Sequence, residues 1–174
     1  MTRLLKPIAA IALLTGLVAL TIAPDAYGET KDAEAKKWTE RLKSAKDSKS
    51  KAEAIEQVGK LAQINKKLGE AGLPTIKAAL KDKDLEVRKQ AALAFGRCDP
   101  DDSDAVSLLV DLLKNDKDEG VKQNAAMGLA ALGSKATDAI PALRAASKAT
   151  ENKKLDRVYK DAMKSINGNP KKKG

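Results

Sequence analysis

The chain has 174 residues, of which 43% are hydrophobic, and a formal net charge of +9. Histidine is absent, which removes the commonest general base and metal ligand, and aromatic residues, at 2%, are too few for a base-stacking surface. Alanine and leucine supply most of the apolar side chains. The composition therefore predicts a modest all-α domain with no catalytic residue, no cofactor and no metal site.

The first 28 residues have the features of an export signal. Arg3 and Lys6 precede an apolar run of roughly 15 residues, whereas a membrane-spanning helix needs about 20. Ala26 and Gly28 are the small residues that a signal peptidase recognises, so cleavage after Gly28 is predicted. An uncleaved membrane anchor is the alternative. The mature chain is expected to be basic, to lack a membrane span, and to reside in the periplasm or outside the cell.

Residues 29–68 contain two amphipathic segments separated by a polar stretch from Lys46 to Lys51. Their apolar residues recur at helical spacing, which predicts a helical hairpin. We interpret this hairpin as a divergent cap on one end of a stack. Ser48 and Lys51 have the spacing of a Ser-x-x-Lys nucleophile and base, but the partner motifs of such enzymes are missing, so a solvated turn is predicted.

Residues 69–167 contain three similar segments, of which the first two are 34 residues apart. Val87 to Phe95 matches Val121 to Leu129, and Val158 to Ile166 keeps the same apolar offsets of 0, +4, +5 and +8. These offsets place the apolar side chains on one face of a helix. Another apolar helix and a short charged turn precede each copy. The unit is therefore a helical hairpin whose apolar side is buried by stacking.

The repeat resembles the HEAT family, particularly its short PBS-lyase-like form. The run from Leu80 to Gly96 follows the family pattern Leu-x-Asp-x-Asp-x-x-Val-Arg-x-x-Ala-Ala-x-Ala-Leu-Gly, and the resemblance is strong over residues 70–133. It implies an α-α superhelix, or solenoid, of about three to four hairpins that binds other proteins. It also implies a ladder of charged side chains between units, formed by Asp84, Arg88, Asp118 and Lys122.

Three smaller signals have structural interpretations. Asp99 to Asp104 begins like a calcium loop but lacks the turn glycine and the closing glutamate, so these acids are predicted to cap the helix starting near Ala105. Cys98, the only cysteine, aligns with Leu132 after one period, which predicts a buried thiol. Residues 168–174 follow a helix stop and are expected to form a disordered basic tail.

The side of each second helix that faces away from the core is the candidate surface for a partner. Positions +2, +6 and +10 lie there because each residue advances about 100° around the helix. The HEAT resemblance implies that this side lines a concave groove. The predicted groove residues are Lys89, Leu93, Arg97, Gln123, Met127, Ala131, Lys160 and Lys164. An apolar centre with cationic flanks suits an acidic, amphipathic segment of another protein.

An exported, monomeric, non-catalytic scaffold that binds another protein is therefore the leading functional prediction. The first alternative is a basic protein that binds nucleic acid or an anionic surface by charge. Export and the scarcity of aromatic residues argue against nucleic acid. The second alternative is an accessory subunit of an enzyme, because PBS-lyase-like relatives include bilin-attaching proteins.

Overall fold

The computed structural model describes residues 30–101 and 103–168, and within these ranges the chain forms helices and no strands. The α-helices are α1 (Lys31–Ser44), α2 (Ser48–Ile64), α3 (Lys67–Glu70), α4 (Leu73–Ala79), α5 (Leu85–Arg97), α6 (Ala105–Asn115), α7 (Glu119–Ala131), α8 (Ile140–Ala149) and α9 (Lys153–Ile166). A 3₁₀ helix, Gly133–Ala139, precedes α8. No helix in the described ranges is both long and apolar enough to cross a membrane. The predicted signal peptide, and the tail beyond Gly168, lie outside the described residues.

The long helices pair into four hairpins, α1/α2, α4/α5, α6/α7 and α8/α9. The second helices also pack on one another in chain order, α2 on α5, α5 on α7 and α7 on α9. Contacts among the first helices of the hairpins are much sparser. The predicted all-α solenoid is therefore confirmed, and the second helices form its more tightly packed layer.

Side-chain caps fix where the second helices begin. Asp84, Asp118 and Asn152 are spaced by 34 residues, and each accepts hydrogen bonds from backbone N–H groups in the first turn of α5, α7 or α9. Asp47 caps α2 in the same way through the N–H of Ser50. Such caps satisfy donors that have no partner within the helix. The polar cap positions therefore recur with the same period as the buried apolar positions.

The last copy of the repeat lies three residues earlier than the apolar pattern predicts. The third residues of α5, α7 and α9 are Val87, Val121 and Leu155, and all three are buried. Val158, which the sequence analysis aligned with Val121, is only partly buried. The prediction was wrong here because residues three and four apart share one helix face, so a shift of three preserves a similar apolar pattern.

Glycine and alanine bring the second helices close together. A Cβ atom added to Gly96 would lie 2.2 Å from the carbonyl oxygen of Gly128, and one added to Gly128 would lie 2.5 Å from the carbonyl oxygen of Ala92. A Cβ atom on Gly59 of α2 would lie 2.7 Å from the Cβ atom of Ala94. Since these neighbours are backbone atoms or a short side chain, a larger residue can enter only if a helix moves.

Cys98 follows α5 and is 3% exposed, which confirms the predicted buried thiol. Burial raises the pKa of this thiol to about 12. The predicted capping by the nearby acids is wrong for Asp104, which occupies the N-cap position of α6 without a side-chain capping bond. Asp99 and Asp101 instead accept hydrogen bonds from Lys135 Nζ at 2.6 and 3.2 Å. These two acids therefore tie the loop before α6 to the 3₁₀ helix.

Candidate functional site

Four of the predicted groove residues lie together at the C-terminal ends of α5 and α7. Leu93, Arg97, Met127 and Ala131 line one open groove of about 440 Å³. Leu93 and Arg97 are half-buried, whereas Met127 is 36% exposed. The groove therefore has an apolar floor that solvent, and hence a partner, can reach.

The sequence analysis missed the contribution of α2 to this groove. Ala62 and Gln63 of α2, and Lys66 just after it, line the same space. They reach it because α2 has 17 residues and α5 has 13, so α2 continues about one turn further. Treating residues 29–68 as a cap hid this surface. The length of α2 was the signal that could have revealed it.

Lys89 and Gln123 lie one turn nearer the beginnings of α5 and α7 and do not line the groove. Lys89 forms an ion pair with Glu86 on its own helix. The backbone carbonyl of Lys89 accepts a hydrogen bond from Asn124 Nδ2 at 2.9 Å, which links α5 to α7. The part of the predicted surface around Lys89 therefore takes part in packing between hairpins.

Lys160 and Lys164 lie on the end face of the stack, not beside the groove. Two periods earlier, their positions are held by Ala92 and Gly96, which pack against the next hairpin. Both lysines are exposed, and Lys160 Nζ donates to Asp156 Oδ2 at 2.7 Å. This bond holds the pKa of Asp156 below its ordinary value. The register shift in α9 is the reason the sequence placed these lysines in the groove.

A ladder of ion pairs joins successive hairpins at the turns between their helices. Lys51 Nζ donates to Asp82 Oδ2 at 2.6 Å, and Arg88 Nε donates to Asp116 Oδ2 at 2.8 Å. The Lys51 bond lowers the pKa of Asp82, and the Asp116 bond raises that of Arg88. Burial opposes ionisation of Asp116, but the bond from Arg88 keeps its pKa below the ordinary value. The folded state therefore stabilises the charged forms of these side chains.

The acids of this ladder are not those that the HEAT resemblance implied. Asp84 and Asp118 cap α5 and α7, and the ladder uses Asp82 and Asp116, two residues earlier. The Ser-x-x-Lys motif is also placed differently from the prediction, because it lies in the first turn of α2 rather than in a solvated turn. Its lysine, Lys51, is the first base of the ladder.

Lys122 and Thr150 occupy the next rung, one period after Arg88 and Asp116. Thr150 Oγ1 accepts the backbone N–H of Asn152 at 3.2 Å, as the side chain of Asp116 accepts the N–H two residues after it. Thr150 thus keeps the turn but supplies no carboxylate. Lys122 forms no ion pair with any residue that the structure describes.

Comparisons with known proteins agree with this architecture. Two overlapping segments of the chain, residues 35–129 and 98–162, match the family model for HEAT repeats. The first of these segments includes α2. No curated protein sequence matches the chain.

Solved structures also resemble this chain, and one of them is the crystal structure of an engineered protein. The two are 25% identical with a TM-score of 0.59. The alignment covers 76% of this chain and 62% of the engineered protein, so the chain spans less than two thirds of that structure. The matches to the family model extend over most of the sequence, and the fold has the expected stacked hairpins. The chain belongs to the HEAT repeat family.

Proposed function

We propose that this chain is an exported, monomeric, non-catalytic scaffold that binds another protein through the groove lined by α2, α5 and α7. HEAT repeats typically mediate protein interactions and are typically not enzymes. The observation that carries the proposal is the accessible apolar pair, Leu93 and Met127, in a groove that also contains Arg97 and Lys66.

The packing of the stack supports this choice of face. The second helices contact one another far more extensively than the first helices do, and glycine lets α5 and α7 touch through their backbones. A stack that is more tightly spaced on one side bends towards that side. This packing supports the proposal that the groove faces the inner, concave side of the stack, where a bound segment would touch several repeats at once.

The groove has chemistry suited to an acidic, amphipathic segment. Leu93 and Met127 can bury apolar side chains of the partner, while Arg97, which pairs with no described acid, can bind a carboxylate. Asp99 also lines the groove, but its carboxylate already accepts a hydrogen bond from Lys135 at 2.6 Å. The cations at the rim would accelerate the approach of an acidic partner.

Export is proposed on the basis of residues 1–28, with Glu29 as the mature N-terminus and the periplasm or the extracellular space as the location. Intact-mass measurement of the protein recovered from the exported fraction tests this proposal. A mass that includes residues 1–28 would show an anchored protein and contradict cleavage.

The binding test compares variants of the mature protein as bait in the exported fraction. We expect Leu93→Asp combined with Met127→Asp to lose the partner captured by the wild type, because two carboxylates would be forced into the apolar floor. Leu85→Asp is the matched control. Leu85 is 44% exposed and is the first residue of α5, at the opposite end from the groove.

Circular dichroism would establish that the double variant keeps its helices. Retention of the partner by the folded double variant would move the site away from the groove. Replacing the three lysines 171–173 with alanine should leave capture unchanged. Capture that disappears only in this lysine variant, together with salt-dependent retention on heparin, would support the charge-driven alternative instead.

A further inference from the structure

A second cavity lies between the third and fourth hairpins, away from the proposed protein-binding groove. It has a volume of about 550 Å³ and is lined by side chains from α6, α7, α8 and α9. One wall is the small-residue face of α8, formed by Ala142, Ala145, Ala146 and Ala149. Lys122, Thr150 and Tyr159 also line the cavity and supply polar groups. Its volume is within the range of about 300 to 1,000 Å³ typical of small-molecule sites.

The wall of this cavity on α8 differs from the equivalent positions of the preceding repeat. One period earlier, Ala142 and Ala146 correspond to Leu108 and Leu112, which belong to the hydrophobic core or pack against it. Two bulky side chains are therefore replaced by methyl groups on α8. These two positions leave room beside α8, while Tyr159 and Leu113 line the cavity where the smaller Ala125 and Ala79 lie one period earlier.

The alanine face of α8 lies next to the rung that lacks a carboxylate. Lys122 stands where Arg88 binds Asp116, but Thr150 replaces the acid and Lys122 pairs with no described residue. Thr150 Oγ1 accepts the N–H of Asn152, so its hydroxyl proton remains able to donate. The rung therefore presents a lysine ammonium and a hydroxyl donor to the cavity.

Tyr159 extends this set of donors. The residue is 1% exposed, and its hydroxyl has no hydrogen bond to any residue in the described ranges. Burial, and secondarily the nearby carboxylate of Glu119, raise the pKa of Tyr159 to about 12, so the hydroxyl stays protonated at neutral pH. Glu119 is already held by Asn152, whose Nδ2 donates to it at 2.8 Å. A protonated phenol is a donor suited to an anionic oxygen.

We propose that this cavity binds a small apolar carboxylate, whose carboxylate group completes the rung between Lys122 and Thr150. The apolar body of the ligand lies against the alanine face of α8, where Ala142 and Ala146 replace Leu108 and Leu112 of the preceding repeat. A free organic acid and the C-terminal residue of a peptide share this chemistry. The lining holds two lysines, Lys114 and Lys122, and two acids, Glu119 and Glu151; Glu119 accepts a hydrogen bond from Asn152, and Lys122 is the cation beside Thr150.

The test uses nuclear magnetic resonance titration of the isotope-labelled mature protein with phenylacetate and its neutral isostere phenylacetamide. We expect phenylacetate to shift the amide signals of Lys122, Thr150 and Tyr159, and phenylacetamide to bind at least about tenfold more weakly. A second pair of probes, acetyl-Ala-Phe with a free or an amidated C-terminus, distinguishes a peptide carboxylate from a free acid.

Two variants probe the rung directly. Lys122→Gln should weaken phenylacetate binding at least about tenfold, because it removes the charged donor. Thr150→Asp should also abolish binding, because it supplies the missing carboxylate from within the chain. Lys148→Gln is the matched control, since Lys148 is exposed on α8 and does not line the cavity.

Equal binding of the acid and the amide, wild-type binding by Lys122→Gln, or no binding of any probe up to millimolar concentration would overturn the proposal. Tighter binding of the peptide acid would identify a C-terminus as the ligand, and tighter binding of phenylacetate a free acid. The groove variant Leu93→Asp with Met127→Asp should still bind phenylacetate. This site and the proposed scaffold function can therefore fail independently.

Discussion

The two interfaces on either side of the third hairpin use the same repeat positions in different ways. Between the second and third hairpins, Gly96 and Gly128 allow backbone contact, and Arg88 binds Asp116. Between the third and fourth hairpins, the equivalent residues are Ala130 and Ala162 at the helix contact and Lys122 and Thr150 at the rung. We call the first the closed interface, because its helices touch through their backbones and its rung is complete, and the second the open interface, because a cavity of about 550 Å³ lies beside its rung.

This difference shows that a repeat can keep its fold while individual positions change their role. Stability in a solenoid is approximately the sum of the stabilities of the repeats and of their interfaces. One interface can therefore lack an ion pair and two leucines that its neighbour has, while the stack as a whole stays folded. Substitutions at these positions should change the free energy of unfolding most where the helices touch through their backbones, and least at the partly exposed rung.

The largest effect is expected at the closed interface, from Gly96→Ala. The new methyl group would lie 2.2 Å from the Gly128 carbonyl oxygen, so α5 and α7 must separate. We expect a loss of roughly 3 kcal/mol in the free energy of unfolding, measured by urea denaturation. Ala130→Gly, the reverse change at the open interface, should cost only about 1 kcal/mol. Equal effects would show that the two interfaces are packed alike.

The second effect is expected from Asp116→Asn, which removes the charge of the closed rung. The side chains of Arg88 and Asp116 are 20% and 6% exposed, so solvent compensates little for the lost bond. We expect a loss of about 1 to 3 kcal/mol at neutral pH, again from urea denaturation. Lys122→Gln should cost less, because Lys122 has no described ion pair.

The advantage of the wild type over Asp116→Asn should also depend on pH. The folded-state pKa of Asp116 is below its unfolded value of 3.8, so the stabilisation is complete well above 3.8. It should be lost as the pH falls through the folded pKa, because the carboxylate must then be protonated in both states. Denaturation curves from neutral pH to about pH 2 should therefore converge. A constant difference would show that the charge is not responsible.

A smaller effect of the opposite sign is expected from Ala146→Leu at the open interface. Leu112 occupies the equivalent position at the closed interface, so the new side chain should fill part of the cavity. We expect a gain of about 1 kcal/mol in the free energy of unfolding. Loss of stability in this variant would mean that α6 and α8 cannot accommodate leucine there.

The smallest effect is expected from Thr150→Asp, which restores the acid of the rung opposite Lys122. The aspartate should keep the turn, because Asp82 and Asp116 accept the equivalent backbone N–H in the preceding turns. We expect a gain of a few tenths to about 1 kcal/mol in urea denaturation at low salt. The gain should decrease at high salt because the partly exposed pair would be screened.

The sequence predicted those features that depend on local pattern. The paired helices, the buried thiol of Cys98 and the grouping of Leu93 with Met127 follow from helical spacing and the 34-residue period. The position of α9 did not follow, because Val158 and Leu155 satisfy the same spacing. The cap residue Asn152, one period after Asp118, indicates the correct start of α9, because only one residue can occupy the N-cap position of a helix.

The cavity and the ladder acids could not be predicted from spacing alone. Asp82 and Asp84 both follow the family pattern, and only the direction of each side chain separates the helix cap from the ion pair. The cavity arises from volumes contributed by four helices. A period reveals that Ala146 replaces Leu112, but not whether the neighbouring helices close the gap.

The lysines on the outer face of α9 bear on self-association. A solenoid face that stacks hairpins head to tail can also stack whole molecules, and a contact between unlike faces that does not close into a ring produces filaments. Where the inner repeats present Ala92 and Gly96, α9 presents Lys160 and Lys164. Their length keeps a second molecule beyond the close spacing of the second helices, and their charge resists dehydration. We therefore expect this end of the stack to stop head-to-tail association of molecules rather than extend it.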